Sequence, residues 1–177
     1  MHNFFKVRVT MIQNTPIDNM EKKRKQLRGI VTDVDGILTN GQIAYREDGL
    51  QTHFFSALDG FGFFNLIDAG FVIAVISGRK NLSAKYRAEE LGVKEIFLAI
   101  NDKFPVLQSL SEKYNIPLEH WAMVGDDVND IQCMRHVDFS FTVPNAHHSA
   151  KNTAAFTTNR SGGDGAFREV SDWILAP

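Results

Sequence analysis

The chain has 177 residues, of which 44% are hydrophobic and 23% charged, as expected for one globular domain with a sizeable core. The formal net charge of −2 excludes the strongly basic surface typical of nucleic-acid-binding proteins. The single cysteine, Cys133, excludes an internal disulfide framework and a cysteine-based zinc cluster, and it favours a cytoplasmic location.

The sequence contains no stretch with the length of a transmembrane helix, so no membrane partner is expected. The first residues, MHNFFKVRVT, are interrupted by Lys6 and Arg8 and lack the apolar centre of a signal peptide. Residues 1–28 are polar and weakly patterned. We interpret them as an extension that leads through a short helix or coil into a single domain at residues 29–177.

Strand-like and helix-like segments alternate from Gly29 onward. The strands are predicted in GIVTDV, FVIAVIS, EIFLAI, WAMVGDD, DFSFTV and AAFTT, and a hairpin is predicted in GQIAYREDGLQTHFF after the first strand. The helices are predicted in DGFGFFNLIDAG, NLSAKYRAEELG, NDKFPVLQSLSEKYN, the residues up to about Met134, and AFREVSDWIL, with Asp59 and Asn81 as N-caps. This alternation predicts an α/β fold with a Rossmann-like, doubly wound parallel sheet and helices on both faces.

The apolar residues around the hairpin and the first of these helices are assigned to the interior. Phe54, Phe55, Phe61, Phe63 and Phe64 are expected mainly in the core, with some of them at an oligomer interface. Cys133 is likewise expected in the core. His147 and His148 are expected to begin a surface helix rather than to bind a metal.

Four groups of polar residues fall at the carboxyl ends of predicted strands or at the helices that follow. They are Asp33-x-Asp35, Ser77-Gly78-Arg79, Lys103, and Gly125-Asp126-Asp127 with Asp130 a turn later. A parallel sheet brings all four to one edge, where ligands bind in this architecture. Clustered carboxylates repel unless a cation neutralises them, and carboxylate oxygens without histidine or cysteine suit Mg²⁺. A hydroxyl, an ammonium and backbone N–H groups facing that metal would bind a phosphate group.

Each group also has an ordinary explanation when taken alone. An Asp-x-Asp pair after a strand is usually a turn or a cap, and Ser77 or Asp126 can cap the helix that follows. Lys103 can be a surface lysine in a first helical turn. The occurrence of all four in this order favours the catalytic interpretation.

The order of these groups is similar to the four motifs of the haloacid dehalogenase superfamily of phosphatases, over roughly residues 29–175. The resemblance implies that Asp33 is the nucleophile and forms an aspartyl phosphate. It implies that Asp35 is the general acid and then the general base, and that its backbone carbonyl binds the metal. Ser77 and Lys103 would hold the transferring phosphoryl oxygens.

The same resemblance implies that Asp126 completes the Mg²⁺ site, with Asp127 and Asp130 as supporting residues. Larger members of the superfamily carry a cap domain between the first and second motifs or between the third and fourth. Both intervals are too short for one here, so no cap domain is expected. The hairpin and a neighbouring subunit are then expected to cover the site.

The segments DVDGILTNG, DGFG, SGRK and RSGGDGAFREV, together with the hairpin, resemble the subfamily of 3-deoxy-D-manno-octulosonate 8-phosphate phosphatases. This resemblance implies a phosphorylated sugar acid as substrate and a homotetramer with active sites near subunit interfaces. It implies a substrate-binding role for Arg79, Lys80, Gly78, Asp59 and Gly60. It also implies a flexible turn near the site mouth, formed by Gly162, Gly163 and Gly165.

Two residues depart from that pattern: Asn40 stands where relatives usually carry aspartate, and Leu58 stands where they commonly carry a basic residue. The resemblance makes the octulosonate phosphate the first expectation for the substrate, and the two departures leave other substrates open. A nine-carbon, sialic-acid-like ulosonate 9-phosphate and a less specific set of sugar phosphates are alternatives. A non-catalytic, metal-binding regulatory module is a further alternative, but such a module has no need of Asp35.

Overall fold

The computed structural model describes residues 10–11 and 17–177, with side chains from residue 20 onward. Its strands are β1 (Thr10–Met11), β2 (Gly29–Thr32), β3 (Ala44–Tyr45), β4 (Gln51–Thr52), β5 (Val72–Ile76), β6 (Glu95–Phe97), β7 (Trp121–Val124), β8 (Phe139–Thr142) and β9 (Phe156–Thr157). Its helices are α1 (Ile17–Arg24), α2 (Ala57–Asp68), α3 (Leu82–Glu90), α4 (Phe104–Tyr114), α5 (Ile131–His136), α6 (His148–Thr153) and α7 (Ala166–Ile174). Short 3₁₀ helices cover Leu118–His120 and Val128–Asp130.

The main sheet has the strand order β1-β9-β8-β7-β2-β5-β6, and every pairing is parallel except that of β1 with β9. Strands β3 and β4 form a separate antiparallel hairpin after β2. The predicted α/β fold with a parallel sheet is confirmed. Within residues 17–177 no insertion forms a cap domain.

The core lies between the sheet and its helices. Every residue of β2, β7 and β8 is buried, as expected for parallel strands that are covered by helices on both faces. The rings of Phe63 and Phe167 stack at a centroid distance of 4.2 Å and join α2 to α7. This packing places the carboxyl ends of the parallel strands at one edge of the sheet.

The two predicted N-caps have different outcomes. The side chain of Asn81 accepts a hydrogen bond of 3.0 Å from Ala84 N, so its predicted capping role is confirmed. The prediction for Asp59 is wrong, because Ser56 Oγ accepts from Leu58 N at 3.2 Å and the helix begins earlier, at Ala57. Asp59 lies in the first turn of α2.

The phenylalanines near the hairpin are less buried than expected. Phe63 is 1% exposed, whereas Phe54, Phe61 and Phe64 are 78%, 61% and 47% exposed. The expectation of a core position is therefore wrong for these three, and the expectation that some of the five lie at an oligomer interface stays a prediction. Phe63 and Leu66 share the buried side of α2, so the helical period places Phe61 and Phe64 on other sides of the helix. Cys133 is buried as expected, and burial raises the pKa of its thiol to about 12.

The segment before residue 29 contacts the end of the chain. Strand β1 pairs with β9, with Thr10 opposite Thr157. The guanidinium of Arg24, at the end of α1, donates to Trp173 O at 3.0 Å and to Ile174 O at 3.2 Å. A cation at this position is favourable because it faces the carbonyl end of α7. The domain boundary at residue 28 stays a prediction. Among the described helices, none is both long enough and apolar enough to cross a bilayer.

Candidate active site

A buried lysine links two of the strand-end carboxylates. Asp33 directly follows β2, the central strand, and Lys103 precedes α4. Lys103 Nζ lies 2.9 Å from Asp33 Oδ1 and 2.7 Å from Asp130 Oδ1. Lys103 and Asp130 are fully buried and Asp33 is 5% exposed. These contacts bring together residues that are about a hundred positions apart in the sequence.

Asp126 completes a cluster of three carboxylates at this edge. Asp33, Asp126 and Asp130 each place an oxygen within 4.8 Å of the others. Three carboxylates face one ammonium, so the cluster has an excess of negative charge. Asp126 Oδ1 and both carboxylate oxygens of Asp35 are buried without a hydrogen-bond partner among the described residues. The unpartnered oxygen of Asp126, inside the cluster, fits a hard divalent cation, which prefers oxygen ligands.

The pKa values of the cluster reflect first its burial and then its excess of negative charge. Burial, with added repulsion from Asp33 and Asp130, raises the pKa of Asp126 to about 8. Burial and the charge of Asp130 raise the pKa of Asp33 to about 7, although Lys103 opposes the shift. Burial lowers the pKa of Lys103, but the charges of Asp33 and Asp130 outweigh burial and hold that pKa above its usual value. A bound cation would favour the ionised carboxylates.

Asp127 and Asp130 have different surroundings. Asp130 Oδ1 contacts Lys103, and its Oδ2 accepts from Asp126 N at 2.9 Å and from Asp127 N at 3.1 Å. Both oxygens of Asp130 thus accept hydrogen bonds from protein groups, and one of them also lies within 4.8 Å of oxygens of Asp33 and Asp126. Asp127 is exposed, and its side chain accepts from Val128 N at 2.7 Å. Of the two, Asp130 is the better placed to support a metal site.

The loop after β5 carries the predicted serine. Ser77 is fully buried, and its Oγ accepts from Arg79 N at 3.1 Å. A Cβ on Gly78 would lie 3.3 Å from Asn129 Nδ2, so this loop runs beside the turn that carries Asp130. Lys80 is exposed. The sequence analysis missed Asn129, although its position inside GDDVND pointed to the same turn.

Asp59 and Gly60 lie between helices, and none of their described contacts reaches the Asp33 cluster. Asp59 is 3% exposed and its Oδ1 accepts from Arg168 N at 3.0 Å, at the start of α7. A Cβ on Gly60 would lie 2.8 Å from Arg87 Nη2, which shows how closely α3 approaches α2. Burial raises the pKa of Asp59 to about 6. A substrate-binding role for this pair stays a prediction.

The predicted glycine turn packs against the loop that follows Asp35. Gly163 N donates to Ile37 O at 2.9 Å, and Gly163 has a φ of +75°. A Cβ on Gly163 would lie 2.6 Å from Asn40 N. A Cβ on Gly165 would lie 3.2 Å from a methyl carbon of Leu58. Both residues that depart from the subfamily pattern therefore border this turn.

Two hairpin residues at the site were not anticipated. Gln51 Oε1 accepts from Arg79 Nη2 at 3.2 Å, and His53 Nε2 lies 3.8 Å from Asp35 Oδ1. The strands of this hairpin have two residues each, too few to form an alternating pattern. The sequence therefore could not indicate that Gln51 and His53 contact the loops after β2 and β5.

The strand-end carboxylates, the buried lysine and the capless α/β sheet define a hydrolase of the haloacid dehalogenase-like class, and the sequence model of that class matches residues 101–169. The chain is 36% identical to the 3-deoxy-D-manno-octulosonate 8-phosphate phosphatase of Haemophilus influenzae, over 88% of this chain and 87% of that protein. It is 33% identical to the Salmonella typhi protein of the same name, over 86% of this chain and 81% of that protein. The chain therefore belongs to the family of 3-deoxy-D-manno-octulosonate 8-phosphate phosphatases.

Solved structures of the same family are similar to this one. The phosphatase from Moraxella catarrhalis, in complex with magnesium ion, phosphate ion and KDO, has a TM-score of 0.86 and 36% identity, covering 90% of this chain and 92% of that chain. The cobalt-bound form of the Haemophilus influenzae protein has a TM-score of 0.82 and 36% identity, covering 86% of this chain and 90% of that chain.

Proposed function

We propose that the chain is a Mg²⁺-dependent phosphoric monoester hydrolase that converts 3-deoxy-D-manno-octulosonate 8-phosphate to the free sugar acid and phosphate. The observation that carries the proposal is the buried Asp33–Lys103–Asp130 arrangement beside Asp126. The family membership supports the substrate, and the Moraxella catarrhalis relative was solved with magnesium, phosphate and KDO.

The first step is assigned to Asp33. Its Oδ1 accepts from Lys103 Nζ at 2.9 Å and from Val34 N at 2.7 Å, so the carboxylate is held in one orientation. A carboxylate oxygen attacks phosphorus, the bond from phosphorus to the sugar oxygen breaks, and an aspartyl phosphate forms. An ammonium has three N–H donors, and the two oxygen contacts of Lys103 leave one donor for a phosphoryl oxygen. Ser77 is proposed to bind another phosphoryl oxygen.

Asp35 is proposed to move the protons. Its two carboxylate oxygens have no hydrogen-bond partner among the described residues, so they are free to serve the leaving group. Protonated Asp35 gives its proton to the sugar oxygen as that bond breaks. It then takes a proton from the water that attacks the aspartyl phosphate, and phosphate and Asp33 are released.

The carboxylates of Asp33 and Asp126 and the backbone carbonyl of Asp35 are proposed to hold Mg²⁺, with Asp130 orienting Lys103 and the Asp126 backbone. When bound, Mg²⁺ would supply positive charge that stabilises the transferring phosphoryl group. Arg79 and the exposed Lys80 are proposed to face the anionic groups of the sugar acid.

The function is tested by kcat/KM on a panel of phosphates with Mg²⁺ and with EDTA. The octulosonate 8-phosphate is expected to give the highest value, and EDTA is expected to abolish turnover. A nine-carbon ulosonate 9-phosphate belongs in the panel because Asn40 and Leu58, which depart from the family pattern, both border the glycine turn. A higher value for the nine-carbon compound would reassign the substrate, and equal values for simple hexose phosphates would indicate a less specific enzyme.

A homotetramer with active sites near subunit interfaces is also proposed. The hairpin and the adjacent part of α2 present exposed apolar side chains, which are Ile43, Tyr45, Leu50, Phe54, Leu58, Phe61 and Phe64. Several exposed apolar side chains within one short segment are typical of a protein interface, and a second copy of the chain is the proposed partner. Light scattering is expected to give the mass of a tetramer, and Phe54→Glu is expected to dissociate it. A monomeric wild-type chain would contradict the proposal. The cytoplasmic location stays a prediction from the sequence.

A further inference from the structure

His53 lies against the proposed general acid, and the mechanism above gives it no role. Its Nε2 is 3.8 Å from Asp35 Oδ1, and the side chain of His53 is 1% exposed. Both ring nitrogens of His53 and both carboxylate oxygens of Asp35 are buried without a hydrogen-bond partner among the described residues. Because buried polar atoms are normally paired, each of these side chains needs what the other can supply: a donor for the carboxylate and an acceptor for the ring.

A second contact anchors the same stretch of chain at the site. Gln51, two residues before His53, accepts a hydrogen bond of 3.2 Å from Arg79 Nη2. Arg79 itself donates its backbone N–H to Ser77 Oγ. The end of the hairpin therefore contacts the loop that carries Ser77 and the loop that carries Asp35. A hydrogen bond that does not involve the His53 side chain therefore also links this segment to the site.

We propose, on the basis of the function proposed above, that His53 is a positioning residue for Asp35. The ring N–H at Nε2 donates to Asp35 Oδ1 in the working site, which leaves Oδ2 to deliver the proton to the leaving oxygen. The separation of 3.8 Å exceeds a hydrogen bond. Catalytic hydrogen bonds are often long before substrate binds and shorten in the complex with substrate.

The kinetic test compares two substrates that need the acid to different extents. The sugar alcohol must be protonated as it leaves, whereas p-nitrophenolate leaves as an anion. His53→Phe keeps the size of the ring but removes the donor. It is expected to lower kcat/KM for the octulosonate phosphate by about tenfold or more, since general acids contribute about 10² to 10⁴ in rate. It is expected to change kcat/KM for p-nitrophenyl phosphate by much less.

His53→Gln places an amide N–H near the position of Nε2 and is expected to recover most of the lost activity. His148→Ala is the control for loss of a histidine elsewhere, because His148 is exposed at the start of α6. Equal losses on both substrates, or no loss in His53→Phe at an unchanged melting temperature, would overturn the assignment.

A measurement without turnover separates this inference from the proposed function. Nitrogen-15 NMR of the histidine rings, recorded on the full chain with Mg²⁺ and inorganic phosphate, is expected to show His53 protonated at Nε2. The His53 signal is assigned as the one that is missing from the spectrum of His53→Gln. It is expected to shift in Asp35→Asn. If the wild-type chain hydrolyses neither phosphate, the proposed function fails, and NMR still decides the His53–Asp35 contact. A proton on Nδ1, or a signal unaffected by Asp35→Asn, would refute it.

Discussion

Lys103 Nζ lies 2.9 Å from Asp33 Oδ1, and its side chain has no exposure to solvent. The same nitrogen lies 2.7 Å from Asp130 Oδ1. One buried cation thus neutralises part of a carboxylate cluster and also holds the proposed nucleophile in place. Stability and catalysis are therefore expected to depend on the same side chain.

Lys103→Met is expected to destabilise the fold and to abolish phosphate release. Removing one partner of a buried ion pair costs about 3 to 5 kcal/mol, because the remaining charge is left uncompensated. Urea unfolding measures the loss, and the matched control is Lys85→Met, whose ammonium is half exposed and 3.6 Å from Glu89. The control is expected to change the free energy of unfolding by less than about 1 kcal/mol. Similar losses in both variants would argue against the central place given to Lys103.

The metal-free chain is expected to lose stability as pH rises from about 4 to about 8. The folded-state pKa values of Asp33 and Asp126 are raised to about 7 and about 8, so the folded state retains protons that the unfolded state has already released. Mg²⁺ requires the ionised carboxylates, so the rise in melting temperature on adding Mg²⁺ is expected to grow over the same range. Melting curves at several pH values, with EDTA and with Mg²⁺, measure both trends. A Mg²⁺ effect that is larger at pH 5 than at pH 8 would contradict this account.

Asp130→Asn is expected to weaken Mg²⁺ binding about 10- to 100-fold, the usual effect of losing a residue that orients metal ligands. Both oxygens of Asp130 are engaged, by Lys103 and by two backbone N–H groups. Asp127→Asn is the matched control, since Asp127 is exposed and its side chain accepts hydrogen bonds from backbone N–H groups of its own turn rather than from Lys103. Calorimetric titration of Mg²⁺ compares the two variants. A larger effect at Asp127 would reverse their proposed roles.

Gly36→Ala is expected to abolish activity, whereas Gly49→Ala is expected to leave it unchanged. Both glycines have positive φ, +95° and +78°, so both substitutions incur the cost of a left-handed backbone, about 1 to 2 kcal/mol. A Cβ on Gly36 would lie 1.9 Å from Asp126 Oδ2, whereas nothing lies within 4 Å of a Cβ on Gly49. Activity and Mg²⁺ affinity at matched protein stability separate the two effects. Equal activity in the two variants would show that the contact with Asp126 can relax without consequence.

The sequence predicted the parallel sheet because its strands and helices have strong local signals. The buried run in β5 and the cap at Asn81 are readable within a few residues. The edge position of Asp33 and Asp126 then follows from parallel strand topology. The convergence of Lys103 on Asp33 and Asp130 is the result of that topology rather than of any local pattern.

Other features depend on contacts between distant parts of the chain and could not be predicted from local patterns. Asp59 has the sequence appearance of a helix cap, but it bonds to Arg168, which is more than a hundred residues away. Phe61 has the residue type of a core position, but the sequence of α2 does not show which side of that helix is buried. The side chain of His53 is 1% exposed and lies 3.8 Å from Asp35, a contact that no local pattern predicts.

The central claim, that Asp33 is the nucleophile of a two-step phosphatase, is tested most directly by trapping the aspartyl phosphate. Asp35→Asn with Mg²⁺ and p-nitrophenyl phosphate should complete the first step, because this leaving group needs no proton, and should stall before hydrolysis. Acid quenching and mass spectrometry of the peptide containing residues 29–38 are expected to find one phosphoryl group on Asp33. Stoichiometric release of p-nitrophenol with no phosphoryl group on Asp33, or with the group on another residue, would contradict the account.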